Sequence, residues 1–497
     1  MKKGNSNELE QSAFFRWLWR QLTSMRIALI LLLLLAIASI PGSIFPQRTQ
    51  NPIRVQSFLT ENPGVGKFLD RLGFFDVYGS AWFSAIYLLL FISLVGCVLP
   101  RALVHLKESF AAPTLVPRYL NKMSHYQKIS DTNLTLLEKN LRRKRYRIRI
   151  EPAALSAEKG YLRETGNLIF HLSLVVILVA IAMGALYGNK GDVILNTGDK
   201  FVNVPTSYDN LSFGRFQNEN SLPSFKLTIN EFRAKYDPAN NQPLDYLLKA
   251  NLDQNGSSNS VEIKVNQPLT IGSTKIYLQA NGYAPIVLVK DKAGKEIFNG
   301  AVNFLPQDAN LTSIGAIKIP DMNPQIGFVS SFLPTADRDP VRGGFSSYPE
   351  VLDPRLLISV WQGDLGMNTG VPQSVYRINT SQMQQIGLKA LSVNESYDFG
   401  VGTITFTGWK PWVNLQIVND PGKSLALIGA ILATIGLLMS LFIRQRRIWV
   451  KKIEGGIEIA GLSKNEIPGL AEEISELINQ SNLSSANLSK NRKLRRQ

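Results

Sequence analysis

Four stretches of the chain are almost free of polar positions: Ile27–Phe45, Ala81–Leu99, Asn167–Tyr187 and Leu425–Ile443. Each approaches the roughly 20 apolar residues that span a bilayer, so the pattern predicts a four-span integral membrane protein. The first run ends in the small residues of AIASIPG, like the close of a secretory signal. It is long for that purpose, and the later spans favour a retained anchor.

Between the third and fourth runs the period changes to two. Phe225–Ile229, Val261–Val265, Lys275–Leu278, Ile286–Val289, Leu356–Trp361 and Thr403–Thr407 alternate or carry β-branched runs, as strands do. Ala293-Gly294 reads as a hairpin turn. The expected fold is therefore an α-helical membrane protein with four transmembrane helices and a large extracytoplasmic antiparallel β-rich domain, sandwich-like in its pattern.

Shorter patterns fill the remainder. Residues 1–12 read as polar and loose, and Phe14–Leu22 as a helix lying at the interface or extending the first span. Pro41-Gly42 is expected to stop the first span. Val55–Leu59 and Val65–Leu72 read as small amphipathic helices, and the aromatics of Phe74–Phe83 as an interfacial belt. Thr132–Leu141 predicts a helix and Tyr146–Ile150 a strand. The tail predicts a strand at Gly456–Ile459, a helix near Leu470–Ile478, and a basic, disordered end over 481–497. Trp409 and Trp412 are expected to anchor the β domain at the membrane.

Charge sets the orientation. The net charge is +16, but Lys and Arg number 5 in residues 1–26, 14 in 100–166 and 11 in 444–497. Residues 188–423 hold 20 basic against 21 acidic residues. Basic segments mark the cytoplasmic side, so the excess encodes topology and no nucleic-acid partner is implied. The resulting division is 1–26 cytoplasmic, 27–45 first span, 46–80 outer loop, 81–99 second span and 100–166 basic cytoplasmic loop. It continues with 167–187 third span, 188–424 outer β domain, 425–443 fourth span and 444–497 cytoplasmic tail. Membrane lipid is an expected partner of the basic loop, whose cluster LRRKRYRIRI can grip anionic headgroups.

Candidate chemistry is sparse. One cysteine, Cys97, and three histidines, His105, His125 and His171, exclude a disulfide framework, a thiolate cluster and a multi-histidine metal site within the chain. No phosphate loop, nucleophile elbow or carboxylate pair is recognisable, so no catalytic residue is assigned. His171 stands out because it sits about one turn inside the third run, where an ionisable group is costly. On position alone the structural explanation comes first: the ring can snorkel or bond a backbone carbonyl. At about 100° per residue, Ser173, Ala180 and Gly184 share a face opposite His171, and Gly429, Ala433, Gly436 and Ser440 form a small stripe in the fourth run. Small faces let helices approach closely. His171 would then point away from that contact, toward a ligand or a second membrane protein.

Three strings, FFDVYGSAWFSAIYLLLFISLVGCVLPR, GNLIFHLSLVVILVA and WVNLQIVNDPGKSLALIGAILATIGLL, in this order and topology, resemble the CcsB/ResB family of system II cytochrome c biogenesis. The resemblance covers nearly the whole chain and overturns the positional preference at His171. It implies a membrane subunit that works with a CcsA-type protein carrying a tryptophan-rich outer loop. Together they move haem b outward and attach it to apocytochromes c. It implies that His171 is an axial ligand of haem iron on the inner side, the second ligand coming from the CcsA-type partner. His105 is an internal alternative for that second ligand, and Cys97 matches a cysteine common in the family that reads as a packing residue. The resemblance further implies a subunit of a haem lyase, non-catalytic or co-catalytic. The cyanobacterial and plastid branch is the nearest, implying the thylakoid membrane, otherwise the bacterial cytoplasmic membrane, and cytochromes f and c6. Two rival expectations are a structural scaffold that docks a partner through its β domain and a haem b electron-transfer protein.

Overall fold

The computed structural model describes residues 6–48, 52–123, 125–130, 134–340, 343–367, 374–463 and 469–480. The chain divides into two compact units, one comprising residues 1–181 with 424–497, the other 182–423. Its helices are α1 (Ser6–Leu22), α2 (Met25–Ile44), α3 (Pro52–Glu61), α4 (Pro63–Arg71), α5 (Ala81–Phe110), α6 (Leu134–Arg143), α7 (Leu162–Tyr187) and α8 (Lys423–Phe442). A further helix covers residues 470–480. Among the described residues four helices are long and apolar enough to cross a membrane, with mean hydropathies of 2.3 to 2.6. They are α2, the Ala81–His105 part of α5, α7 and α8. This is a membrane protein with a β domain.

Several ends differ from the sequence expectation. Helix α1 begins at Ser6, so the segment read as loose is helical from there. Helix α2 passes through Pro41-Gly42 to Ile44, because a proline in the last turn forfeits only one backbone bond. Helix α5 continues through Pro100 to Phe110, and α7 starts at Leu162, before the apolar run. The loop between α2 and α5 folds around Gln47, which is 3% exposed. Its amide donates to the Phe45 and Phe74 carbonyls at 3.0 and 3.1 Å and accepts from Val77 N at 3.0 Å. Phe75 is therefore fully buried here and is no belt residue.

The helices pack through small residues. On α7, Gly166, Ser173 and Ala180 are buried at intervals of seven, and on α8 Gly429 and Gly436 are buried at the same interval. A Cβ at Gly436 would lie 2.5 Å from Phe170 N and 2.7 Å from Gly166 O, so the two backbones nearly touch. On α5, a Cβ at Gly96 would lie 2.2 Å from the Thr23 methyl, and Ser93 Oγ donates to Leu22 O at 2.5 Å. These contacts seat the α1–α2 turn on α5.

The loop before α7 and the tail after α8 make one small α/β module. Its antiparallel sheet runs in the order His125–Ile129, Gly456–Ser463, Arg446–Ile453, Ala154–Lys159, Arg147–Glu151. The sequence pattern did not mark Ala154–Lys159 or Arg446–Ile453 as strands. Helix α6 and the helix over 470–480 cover one sheet face, with Leu137, Leu141, Leu470, Ile474 and Leu477 fully buried against Ile448, Val450 and Ile459. Trp449, Leu120 and Ala460 form the opposite core. The first two residues of the expected helix Thr132–Leu141, and the end over 481–497, lie outside the described residues.

In the module the basic residues are structural as well as topological. Glu158, 5% exposed, accepts from Arg147 at 3.1 Å, Arg447 at 3.1 Å and Gln445 at 3.0 Å. Burial alone would raise its pKa, yet the bonds from Gln445 and Arg147 and the charge of Arg447 outweigh it and hold the carboxyl below its ordinary value. Arg446 pairs with Glu473, and Arg147 stacks 4.1 Å over Tyr161.

The unit 182–423 is antiparallel β throughout its described strand pairs. Its spine is the pairing of Thr274–Asp291 with Gly402–Asn419, each 18 residues long and kinked by register shifts. The two strands expected within 274–291 are thus one. One half of this ribbon packs Ile276, Val413 and Leu415 against a sheet built on Lys226–Tyr236 and Pro243–Gln254. The other half packs Val287, Ile404 and Phe406 against a sheet built on Ile326–Leu333 and Arg355–Gln362. The result is sandwich-like packing on both halves of one shared ribbon. The hairpin turn at Ala293-Gly294 forms, with Gly294 at φ +82° and Asp291 Oδ1 capping Ala293 N and Lys295 N at 2.9 Å. Trp412 is no membrane anchor: it is 3% exposed and its Nε1 donates to the Tyr283 and Phe304 carbonyls, each at 3.1 Å.

Candidate functional site

The site forms where α2, α5 and α7 leave a groove of about 810 Å³. Leucines from all three helices line it, among them Leu29, Leu94 and Leu168. Cys97, His105 and His171 line it too, so all three residues singled out in the sequence meet at one place. His125 does not: it lies in the module's edge strand.

Helix geometry explains the convergence. Because α5 continues beyond Pro100, Cys97, Arg101 and His105 fall at intervals of four on one face. Because α7 starts before its apolar run, Glu164, Asn167, Leu168 and His171 form the opposing face. Arg101 and Glu164 lie outside the apolar runs, beyond Pro100 and among the polar residues before Asn167, so hydrophobic pattern alone does not mark them. The spacing 97, 101, 105 is the signal that could have found them.

His171 is half-buried, and its Nδ1 lies 2.8 Å from the Asn167 carbonyl. A carbonyl only accepts, so Nδ1 carries the hydrogen and the neutral ring presents an Nε2 lone pair. Among the described residues Nε2 meets no hydrogen-bond partner. Phe170 packs edge-on to the ring, with centroids 5.3 Å apart. The carbonyl bond that a structural role would need is therefore present, and it is also the bond that prepares an imidazole to bind a metal. On the opposite face of α7, Gly166 and Ser173 are occupied by α8, which keeps His171 turned to the groove.

His105 closes one end. Its Nε2 lies 3.2 Å from Thr165 Oγ1 and its Nδ1 3.9 Å from Glu164, so both nitrogens face partners on α7. Cys97 is a free, half-buried thiol. Arg101 donates to the Met25 thioether at 2.9 Å. Such a groove suits a flat, largely apolar molecule with a metal to offer His171 and polar groups at the His105 end.

Comparison with known proteins gives a consistent match. The model of the ResB-like family matches residues 25–475. A protein named cytochrome c biogenesis protein CcsB from Prochlorococcus marinus is 25% identical over 468 residues, 92% of this chain and 96% of that protein. Proteins of the same name from Microcystis aeruginosa and Nostoc are each 26% identical, over 92% and 94% of this chain and 93% and 92% of their own lengths.

Proposed function

The chain belongs to the ResB-like family, and on that premise we propose that it is a membrane subunit of cytochrome c biogenesis that carries haem to the point of covalent attachment. The name shared by its relatives supports the process, and the groove supports the step. Haem is apolar over its macrocycle and anionic at its propionates, matching a leucine-lined groove with Arg101 and other polar side chains toward the His105 end. His171 Nε2 is the iron ligand on this chain, because the Asn167 carbonyl already holds Nδ1–H. That single bond carries the reading.

The second axial ligand comes from a CcsA-type partner. His105 is a poor internal candidate, since Thr165 and Glu164 engage its ring. For the same reason a haem b electron-transfer protein complete within one chain is disfavoured. The basic module and both termini face the cytoplasm, by the distribution of Lys and Arg, and the β unit faces outward. Residues 188–423 contain no histidine or cysteine, so the β unit's role is to position apocytochrome or partner, and the chain is one part of a haem lyase. The cyanobacterial sources of the relatives support a thylakoid membrane location, with cytochromes f and c6 as the proposed recipients of haem.

The test is the absorption spectrum of the protein purified with its CcsA-type partner, wild type against His171→Gly. Six-coordinate haem is expected in wild type, with loss of haem or five-coordination in the variant and partial recovery of cytochrome assembly on adding imidazole. An unchanged spectrum with normal assembly in the variant would leave only the scaffold role.

A further inference from the structure

We infer that Arg101 is the carboxylate-binding residue of the groove; the inference rests on the haem reading above. The first observation is placement. Helices α5 and α7 run antiparallel from the module, and His105 meets Thr165. At about 1.5 Å per residue, Arg101 lies about 6 Å along the groove from that contact and His171 about 9 Å. Arg101 and His171 thus stand within about 3 Å of each other along the groove axis, on facing helices, so a molecule whose metal sits at His171 lies beside the Arg101 position.

The second observation is charge. A guanidinium in a membrane groove wants an anionic or strongly accepting partner. Among the described side chains Arg101 has no carboxylate within ion-pair distance, and its acceptor is the Met25 thioether, which is weak. Glu164, the carboxylate lining the same groove, stands beside His105 instead. The groove thus holds a planar, five-donor cation with a weak partner next to an apolar wall of Leu29, Leu94 and Leu168. A ligand carboxylate displacing the thioether supplies the missing bidentate acceptor. The same chemistry could come from a lipid phosphate, and the experiment separates the two.

The purified complex with its CcsA-type partner, stripped of haem and held in lipid-free detergent, is titrated with haem and with haem dimethyl ester, whose carboxylates are masked. Wild type is expected to bind haem about tenfold more tightly than the ester, the lower range for a hydrogen bond to a charged group. Arg101→Gln should remove that preference while keeping the imidazole-bound spectrum, and Arg101→Lys should retain part of it. His171→Gly should change the spectrum yet keep the preference. Equal binding of haem and ester by wild type, or an undiminished preference in Arg101→Gln, overturns the inference and leaves Arg101 to a lipid phosphate. Failure of wild type to bind either compound with a histidine-ligated spectrum would instead sink the haem reading itself.

Discussion

Replacing Gly436 with alanine adds one methyl group, but it adds it between two backbones. The new Cβ would lie 2.5 Å from Phe170 N and 2.7 Å from Gly166 O. Non-bonded carbon contacts settle near about 3.5–4.0 Å, so α7 and α8 must separate by about 1 Å. Neither obstacle is a side chain that can rotate away. The expected cost is about 1–3 kcal/mol, the usual range for overpacking a close contact. Phe170 neighbours His171, so the shift also moves the ring relative to the wall formed by α2 and α5. Gly429→Ala is the milder comparison, because only Ile177 Cγ1, at 2.7 Å, lies closer than 3.0 Å to its Cβ, and the backbone atoms Ser173 O and Ile177 N stand off at 3.3 and 3.4 Å. The assay is thermal unfolding of the detergent-solubilised protein together with the haem spectrum of the partnered complex. Gly436→Ala should lower the melting temperature more than Gly429→Ala and should weaken or broaden the haem bands with His171 intact. Equal effects of the two substitutions, or a wild-type spectrum in Gly436→Ala, would refute the claim that backbone contact between α7 and α8 sets the groove.

Three further outcomes test the remainder of the structure. Glu158→Ala should lower hydrogen-exchange protection of Arg446–Ile453 and Ala154–Lys159 by about 2–3 kcal/mol, less than a fully buried pair because Arg147 and Arg447 are 27% and 33% exposed; unchanged exchange in both strands would count against the carboxylate as the clasp between loop and tail. Since the folded-state pKa of Glu158 is lowered, its contribution is present above the unfolded value of about 4.3 and is lost as pH falls through the folded value; protection of these strands, corrected for the intrinsic exchange rate, should fall below about pH 4 in wild type and fall less in the variant. In the β unit, Trp412→Phe removes the indole donor from the Phe304 carbonyl and leaves the Tyr283 carbonyl with Phe304 N at 3.2 Å, and should cost about 1–3 kcal/mol, read as reduced protection of both 18-residue strands. Protection equal to wild type would show that the indole bond does not couple the two halves of the ribbon.

What the sequence determined by itself rests on short-range periodicity. Runs of about 20 apolar residues must be satisfied as helices in a bilayer, alternation specified strands between 188 and 423, and the small residues of α7 and α8 announced a close contact opposite His171. Burial of Gly166, Ser173 and Ala180 follows that stripe, with Gly184 instead against the Asp420 carboxylate. The tertiary structure decided what local pattern does not carry. Strand Ala154–Lys159 is buried on both faces and so has no alternation to read, and its partner Arg446–Ile453 lies almost 300 residues away. Trp412 looks like an interfacial aromatic until the carbonyls of Tyr283 and Phe304, 129 and 108 residues away in sequence, converge on its N–H. Arg101 and Glu164 lie beyond the apolar runs, and only the continuation of α5 and α7 as helices brings them to the groove. A side chain's neighbours depend on which elements pack, and that packing is set by surfaces the chain joins only when folded.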